Sequence, residues 1–167
     1  MDLFQTSYCN LPGYPAAWSP CSKYRYTLWR TFTSNPPKNY MALIGLNPST
    51  ATESVDDPTV NRCWKLAVRE GFDAFCMLNL FGWRDTDPSG LYRTEDPVGA
   101  DSDEWLLKVT AGASLIVAAW GTHGAFIGRG EEVKRMIPNL KCLGTTKDGH
   151  PRHPLYLRKD VQIIPFP

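Results

Sequence analysis

Four short, nearly continuous apolar runs punctuate the chain, at 41–46, 74–81, 115–120 and, more weakly, 140–144. Runs of this length without polar alternation mark strands covered on both faces, as in a parallel sheet. The stretches between them carry helical spacing. A helix over 59–70 is predicted, with Asp57 as N-cap, Pro58 at the first helical position, Val60, Trp64, Ala67 and Val68 on one stripe, and Gly71 closing it. A second is predicted over 102–110, with Trp105, Leu106 and Val109 turned inward. A third should run from Gly124 or Ala125 to Met136, its first turns weakened by Gly128 and Gly130. Upstream, 24–32 alternates Tyr24, Tyr26 and Leu28 against Arg25, Thr27 and Trp29, which predicts a half-buried strand ended by the turn signal Ser34-Asn35-Pro36-Pro37. The first 23 residues hold Pro12, Pro15 and Pro20 without a sustained period. They read as an arm or irregular wrap, leaving 24–167 as one domain.

Strand and helix in alternation predict an α/β fold, a three-layer sandwich around a central parallel sheet of about four strands. Such sheets put their sites at the carboxyl ends of the strands. Polar clusters fall there: Gly45 to Thr50 after the first run, Asn79 with Gly82 to Asp85 at the second, Gly121-Thr122-His123-Gly124 after the third, and Lys147 to Tyr156 after the last. All three histidines lie in these loops.

Composition narrows the class. Hydrophobic residues at 43%, aromatics at 12% and charged residues at 21% describe a packed globular chain. No apolar run approaches the roughly 20 residues of a membrane span, so no membrane partner is expected. Met1 to Thr6 lacks a basic region followed by an apolar one, so no secretory signal is expected either. The five cysteines, Cys9, Cys21, Cys63, Cys76 and Cys142, are odd in number and show no two-residue spacing. Reduced thiols in a cytoplasmic protein are expected, with no metal and no cofactor. The net charge of +1 gives no general affinity for nucleic acid, which needs only a local basic face.

Several residues are candidates for chemistry. Asn47 ends a strand just before a proline; it either aims its carboxamide into the crevice or caps its own turn. Asn79 is an amide in an otherwise apolar strand, and a buried amide must be hydrogen-bonded or cost about 1–3 kcal/mol. Its partner is either backbone or a ligand's amide-like edge. Phe81 and Trp83 beside it are either core or a stacking platform for a base. His123, in the turn with Gly121 and Thr122, is either part of an anion site or a solvent-facing ring. His150, Arg152 and His153 are the densest group of proton donors and cations. The alternative is an exposed basic loop. Arg84 is either a phosphate ligand or an ordinary surface charge. Neither a dinucleotide fingerprint nor a nucleophilic serine elbow is present.

In content and order these clusters resemble the uracil-DNA glycosylase superfamily. Ala42-Leu43-Ile44-Gly45-Leu46-Asn47-Pro48 is similar to the Gly-X-Asn-Pro turn of its mismatch-specific branch, Met77-Leu78-Asn79 to its base-reading strand, and Val117-Ala118-Ala119-Trp120-Gly121 to its Leu-Leu-Trp-Gly strand. His150-Pro151-Arg152-His153-Pro154-Leu155 resembles its His-Pro-Ser-Pro-Leu loop with one residue more, so His150 and His153 compete for the motif position. From Tyr24 to Leu157 the chain is closer still to a family of uncharacterised bacterial and phage proteins, through Gly-Leu-Asn-Pro-Ser-Thr-Ala, Asp-Asp-Pro-Thr, Asn-Leu-Phe and His-Pro-Leu-Tyr. The first resemblance implies a glycosylase-like fold and a DNA N-glycosylase. Asn47 would orient water, Asn79 would pair with a flipped pyrimidine, and His153 or His150 would donate to the departing base. Arg152, Arg84 and the amides around Gly121, Thr122 and His123 would hold phosphates. Ser49 stands where the uracil-specific branch has a bulky tyrosine, which implies room for 5-substituted pyrimidines. Two rivals share this pocket: a transferase acting on a modified pyrimidine, as DNA hypermodification requires, and a binding module for a modified base or nucleotide. The expected partner is single- or double-stranded DNA or a nucleotide, bound by a monomer.

Overall fold

A computed structural model describes residues 16–32 and 37–167. The predicted arm up to residue 15 and most of the turn at 34–37 lie outside the described residues. The four apolar runs become β3 (Tyr40–Gly45), β4 (Ala74–Asn79), β5 (Leu115–Ala118) and β6 (Lys141–Cys142). They pair in parallel in the order β4-β3-β5-β6. This parallel core matches the expected four strands, but the sheet is larger. Antiparallel β2 (Arg25–Thr31) and β1 (Ala16–Trp18) extend it beyond β4, and antiparallel β7 (Ile164–Pro165) extends it beyond β6, giving seven strands. Part of the predicted arm thus becomes a strand of the sheet.

The apolar runs are continuous because both faces of the sheet are covered. Met41, Leu43, Phe75 and Met77 pack with Val60, Cys63, Leu66 and Ala67 of α1 (Pro58–Arg69). Ala42, Ile44, Cys76 and Leu78 pack on the other side with Trp105, Leu106 and Val109 of α2 (Ser102–Gly112) and Val133 of α3 (Arg129–Met136). The layers are helix, sheet, helix, as expected. The same covering corrects the reading of β2: six of its seven residues are buried, where alternation predicted one wet face. Trp29 packs edge-on against Tyr40, and Arg25 and Arg30 are sealed on the strand rather than facing water.

In α1 the cap behaves as expected, Asp57 accepting from Val60 N–H at 2.8 Å. The buried stripe is Val60, Cys63, Leu66 and Ala67; Trp64 is half-buried, and Val68 faces solvent at 53% exposure. The third helix starts later than expected. Residues Thr122–Gly128 form a 3₁₀ segment that breaks at Phe126 and Ile127, and only after left-handed Gly128 does α3 begin. The break seats Phe126 against Phe81 and Tyr92, with ring centroids 5.7 and 4.4 Å away. It also seats Arg129 in the interior, donating to Leu80 O at 2.9 Å. That tertiary contact outweighs helical continuity through two glycines. Among the described residues no helix is long and apolar enough to cross a membrane.

Candidate functional site

The carboxyl ends of β3, β4 and β5 open into a cavity of about 620 Å³, within the range that takes whole small-molecule ligands. The fourth loop, after β6, folds back over it. Gly121 N–H donates to Pro151 O at 2.9 Å, and Gly121 adopts φ +72°, which favours glycine. These contacts join the β5 turn to the histidine loop. Asn47, Ser49, Asn79, Gly121, Thr122, His123, Arg152 and His153 all line the cavity.

Asn47 and Asn79 differ in what holds them. The Asn47 Nδ2 donates to Pro48 O at 3.1 Å and Asp85 O at 3.0 Å, with Trp83 O at 3.5 Å. Three carbonyls on one side fix the amide orientation, since only the NH₂ end can face them. The side chain therefore ties the turn after β3 to the loop after β4, while among the described residues no donor reaches its Oδ1. Asn79 is 6% exposed and makes no side-chain hydrogen bond among the described residues. Its Oδ1 lies 3.0 Å from where a Cβ on Gly45 would stand, so a larger residue there would press on the carboxamide.

His153 is the histidine of the pair that lines the cavity. Its Nδ1 accepts Leu155 N–H at 3.3 Å, capping the 3₁₀ turn Pro154–Tyr156. Burial lowers its pKa below the usual value, opposed by the charge of Asp57. The ring is neutral at pH 7, and an accepting Nδ1 puts its proton on Nε2. The His150 carbonyl accepts Thr146 N–H and its own N–H donates to Thr146 Oγ1, and the residue does not line the cavity.

The other expected residues are distributed differently. Phe81 is fully buried against Phe126, and Trp83 packs edge-on to Tyr24 with its Nε1 sealed and unpaired; neither lines the cavity. Arg84 also lies outside it, bracing the turn by donating to Ser49 O at 2.9 Å with its guanidinium over Trp18. Arg152 is exposed, with Nε on Thr145 O at 2.9 Å. His123 is exposed and meets Tyr92 Oη through Nδ1 at 3.1 Å. Since Gly121 N–H is taken by Pro151, that amide is not free for an anion. Among the described residues no group of three or more His, Cys, Asp or Glu could hold a metal ion.

The cavity is also lined by residues to which the sequence assigns no chemical role: Arg25, Asp57, Asp85, Trp120 and Tyr156. Asp57 is both helix cap and cavity wall, and its capping signal hid the second role. Tyr156 stands 86% exposed at the mouth, its ring 5.5 Å from that of His153. Its place in the loop after the last strand was the available signal.

The architecture is mixed α/β, with a cavity at the carboxyl ends of the parallel strands, the place where sheets of this kind carry their sites. The chain belongs to the DUF1643 family of proteins of unknown function, whose family model matches residues 25–155. No curated protein and no solved structure matches it.

Proposed function

We propose that the cavity takes a pyrimidine turned out of DNA, and that the protein is a base-acting enzyme, an N-glycosylase for a uracil-like or 5-substituted pyrimidine. The observation that carries this reading is Asn79, a residue 6% exposed at a strand end and lining the cavity, with neither the donor nor the acceptor of its carboxamide used among the described residues. Its amide atoms are not among the sealed unpaired atoms of the described residues, so they open onto the cavity, where a ligand can reach them. An amide offers one acceptor and donors side by side, the complement of the adjacent carbonyl and N–H on a pyrimidine edge.

The remaining groups fit the same chemistry. Water attacks the sugar carbon, the N-glycosidic bond breaks, and the electron pair leaves with the base. The unpaired Asn47 Oδ1 accepts a hydrogen bond from that water and orients it, while its NH₂ keeps the turn rigid; the proton the water sheds on attack balances the one taken up by the departing base anion. His153, neutral with its proton on Nε2, donates to the departing base and spreads its charge. Asp57, whose charge is felt at His153, favours the positive charge that builds on the sugar. Arg152 on the rim meets flanking phosphate. Tyr156 takes the stacking role expected of Phe81 or Trp83, since it stands at the mouth. Ser49 on the wall leaves space beside a pyrimidine 5-position.

The test is mass spectrometry of single- and double-stranded oligonucleotides carrying uracil, 5-hydroxymethyluracil and other 5-substituted pyrimidines. Free base and an alkali-labile abasic site are the expected products. A base of altered mass without an abasic site points to the transferase, and intact substrate throughout overturns the glycosylase.

A further inference from the structure

One cavity residue has no part in the chemistry above. Arg25, at the start of β2, is 3% exposed and lines the cavity. The other two buried arginines are fully equipped. Arg30 pairs with Asp56 at 2.7 Å and donates to Trp29 O and Thr52 O. Arg129 pairs with Asp103 and Glu132 and donates to Leu80 O. Among the described residues no carboxylate comes within 4 Å of Arg25. Its Nη1 donates to Ala51 O, its Nε is sealed without an acceptor, and its Nη2 has no partner among the described residues. Trp18 lies beneath the guanidinium, 5.9 Å from ring centroid to Cζ.

The charges around it do not complete the fork. Asp57 is the main opposing charge, but its oxygens are engaged by Val60 N–H and Ala51 N–H. Glu53 adds weakly, receiving the Trp18 indole N–H, while Arg84 and Arg30 add positive potential. Burial lowers the Arg25 pKa to about 10, so the side chain is cationic at neutral pH. A buried guanidinium with an incomplete fork is costly, and its Nη2, unpartnered and not among the sealed atoms, is the donor an oxyanion can reach.

We infer that Arg25 is an anion subsite that takes a phosphoryl oxygen of the same nucleotide whose base meets Asn79. The base half rests on the pyrimidine reading above; the anion half stands on Arg25 itself. A side chain 3% exposed does not reach phosphate running across the surface, so the anion must enter with the ligand. The cavity, at about 620 Å³, is in the range for a whole small ligand. Exposed Arg152 serves phosphate outside. The phosphoryl oxygen belongs either to a free monophosphate or to a nucleotide turned out of a strand.

Titration calorimetry on the full chain tests this with deoxyuridine, deoxyuridine monophosphate, deoxyadenosine monophosphate, inorganic phosphate and a trinucleotide with a central deoxyuridine. Wild-type protein should bind the uridine monophosphate about tenfold or more tighter than deoxyuridine. Arg25→Met should close that gap, and Asn79→Ala should weaken both ligands while keeping it. Equal affinity for nucleoside and monophosphate, equal loss of both in Arg25→Met, or no binding by any monophosphate or the trinucleotide overturns the inference. Equal binding of the adenosine and uridine monophosphates, with the Arg25 gap intact, supports the anion subsite and defeats the pyrimidine reading. A trinucleotide tighter than the monophosphate, with the same Arg25 dependence, assigns the oxygen to a strand; a weaker one assigns it to a free nucleotide, and either supports the subsite. Should Arg25→Met not fold, the nucleoside-to-monophosphate gap in Arg25→Lys decides: a narrowed gap supports the subsite and an unchanged one overturns it.

Discussion

The two ends of strand β2 each carry a buried arginine, Arg30 at one and Arg25 at the other, five positions apart. At the Arg30 end the guanidinium is enclosed by Asp56 and by carbonyls of the 52–55 loop. At the Arg25 end, on the wall of the cavity, Nε is sealed without an acceptor and Nη2 has no partner among the described residues. The two asparagines repeat the contrast, Asn47 tied to three carbonyls and Asn79 to none. A residue type at a strand end does not reveal whether it builds the protein or waits for a ligand. Counting its partners does.

The largest expected effect lies at the satisfied end. Arg30→Met removes the donor from several buried carbonyls and the partner from Asp56, and should cost about 3 kcal/mol in urea unfolding. Arg25→Met should cost less than about 1 kcal/mol, because one hydrogen bond is lost while a poorly solvated charge is removed. Equal losses at the two ends would break the comparison. Asn47→Ala comes next. Releasing the Pro48 and Asp85 carbonyls should lower stability by about 2 kcal/mol, so an inactive Asn47 variant is a poor proof of a chemical role. Asn79→Ala sharpens the contrast, with stability within about 1 kcal/mol of wild type and ligand affinity weakened.

A pH effect of smaller size is expected at His153. Its folded pKa is lowered, so the neutral ring contributes fully above the ordinary value near 6.5 and the contribution fades as pH falls through the lowered value. Protonated Nδ1 would face Leu155 N–H donor to donor. The protection factor for amide exchange at Leu155 should therefore fall on acidification ahead of the sheet, and not in His153→Ala, where the cap is absent at every pH. The smallest effect on ligand binding belongs to Trp83→Phe. With the indole N–H unpaired and the ring outside the cavity, stability should change by about 1 kcal/mol and ligand affinity not at all.

Much of the fold was legible because a strand covered on both faces must be apolar throughout, and β3, β5 and β4 up to Asn79 are. The loops that build the cavity were legible for the same reason, since strand ends mark where polar clusters fall. The edges were harder to read. Alternation in β2 suggested a wet face for Arg25, because periodicity reports which residues share a face and not whether a helix covers it. The two-residue strands β6 and β7 carry too few positions for any period. The break before α3 is set by Phe126 and Arg129 reaching partners distant in sequence, Phe81, Tyr92 and Leu80. Phe81 and Trp83 were read as neighbours of the base because they follow Asn79, yet past a strand end the chain turns away and adjacency is lost. Asn79 itself was visible as an anomaly, and only its surroundings show that the protein supplies no partner.

The most direct measurement sets wild-type protein beside Asn79→Ala, recording thermal stability and, by mass spectrometry, free pyrimidine released from uracil- and 5-hydroxymethyluracil-containing oligonucleotides. The account predicts equal melting temperatures, free base from the wild type and none from the variant. A variant that releases base as the wild type does, or that loses its fold as an ordinary core amide would, contradicts it.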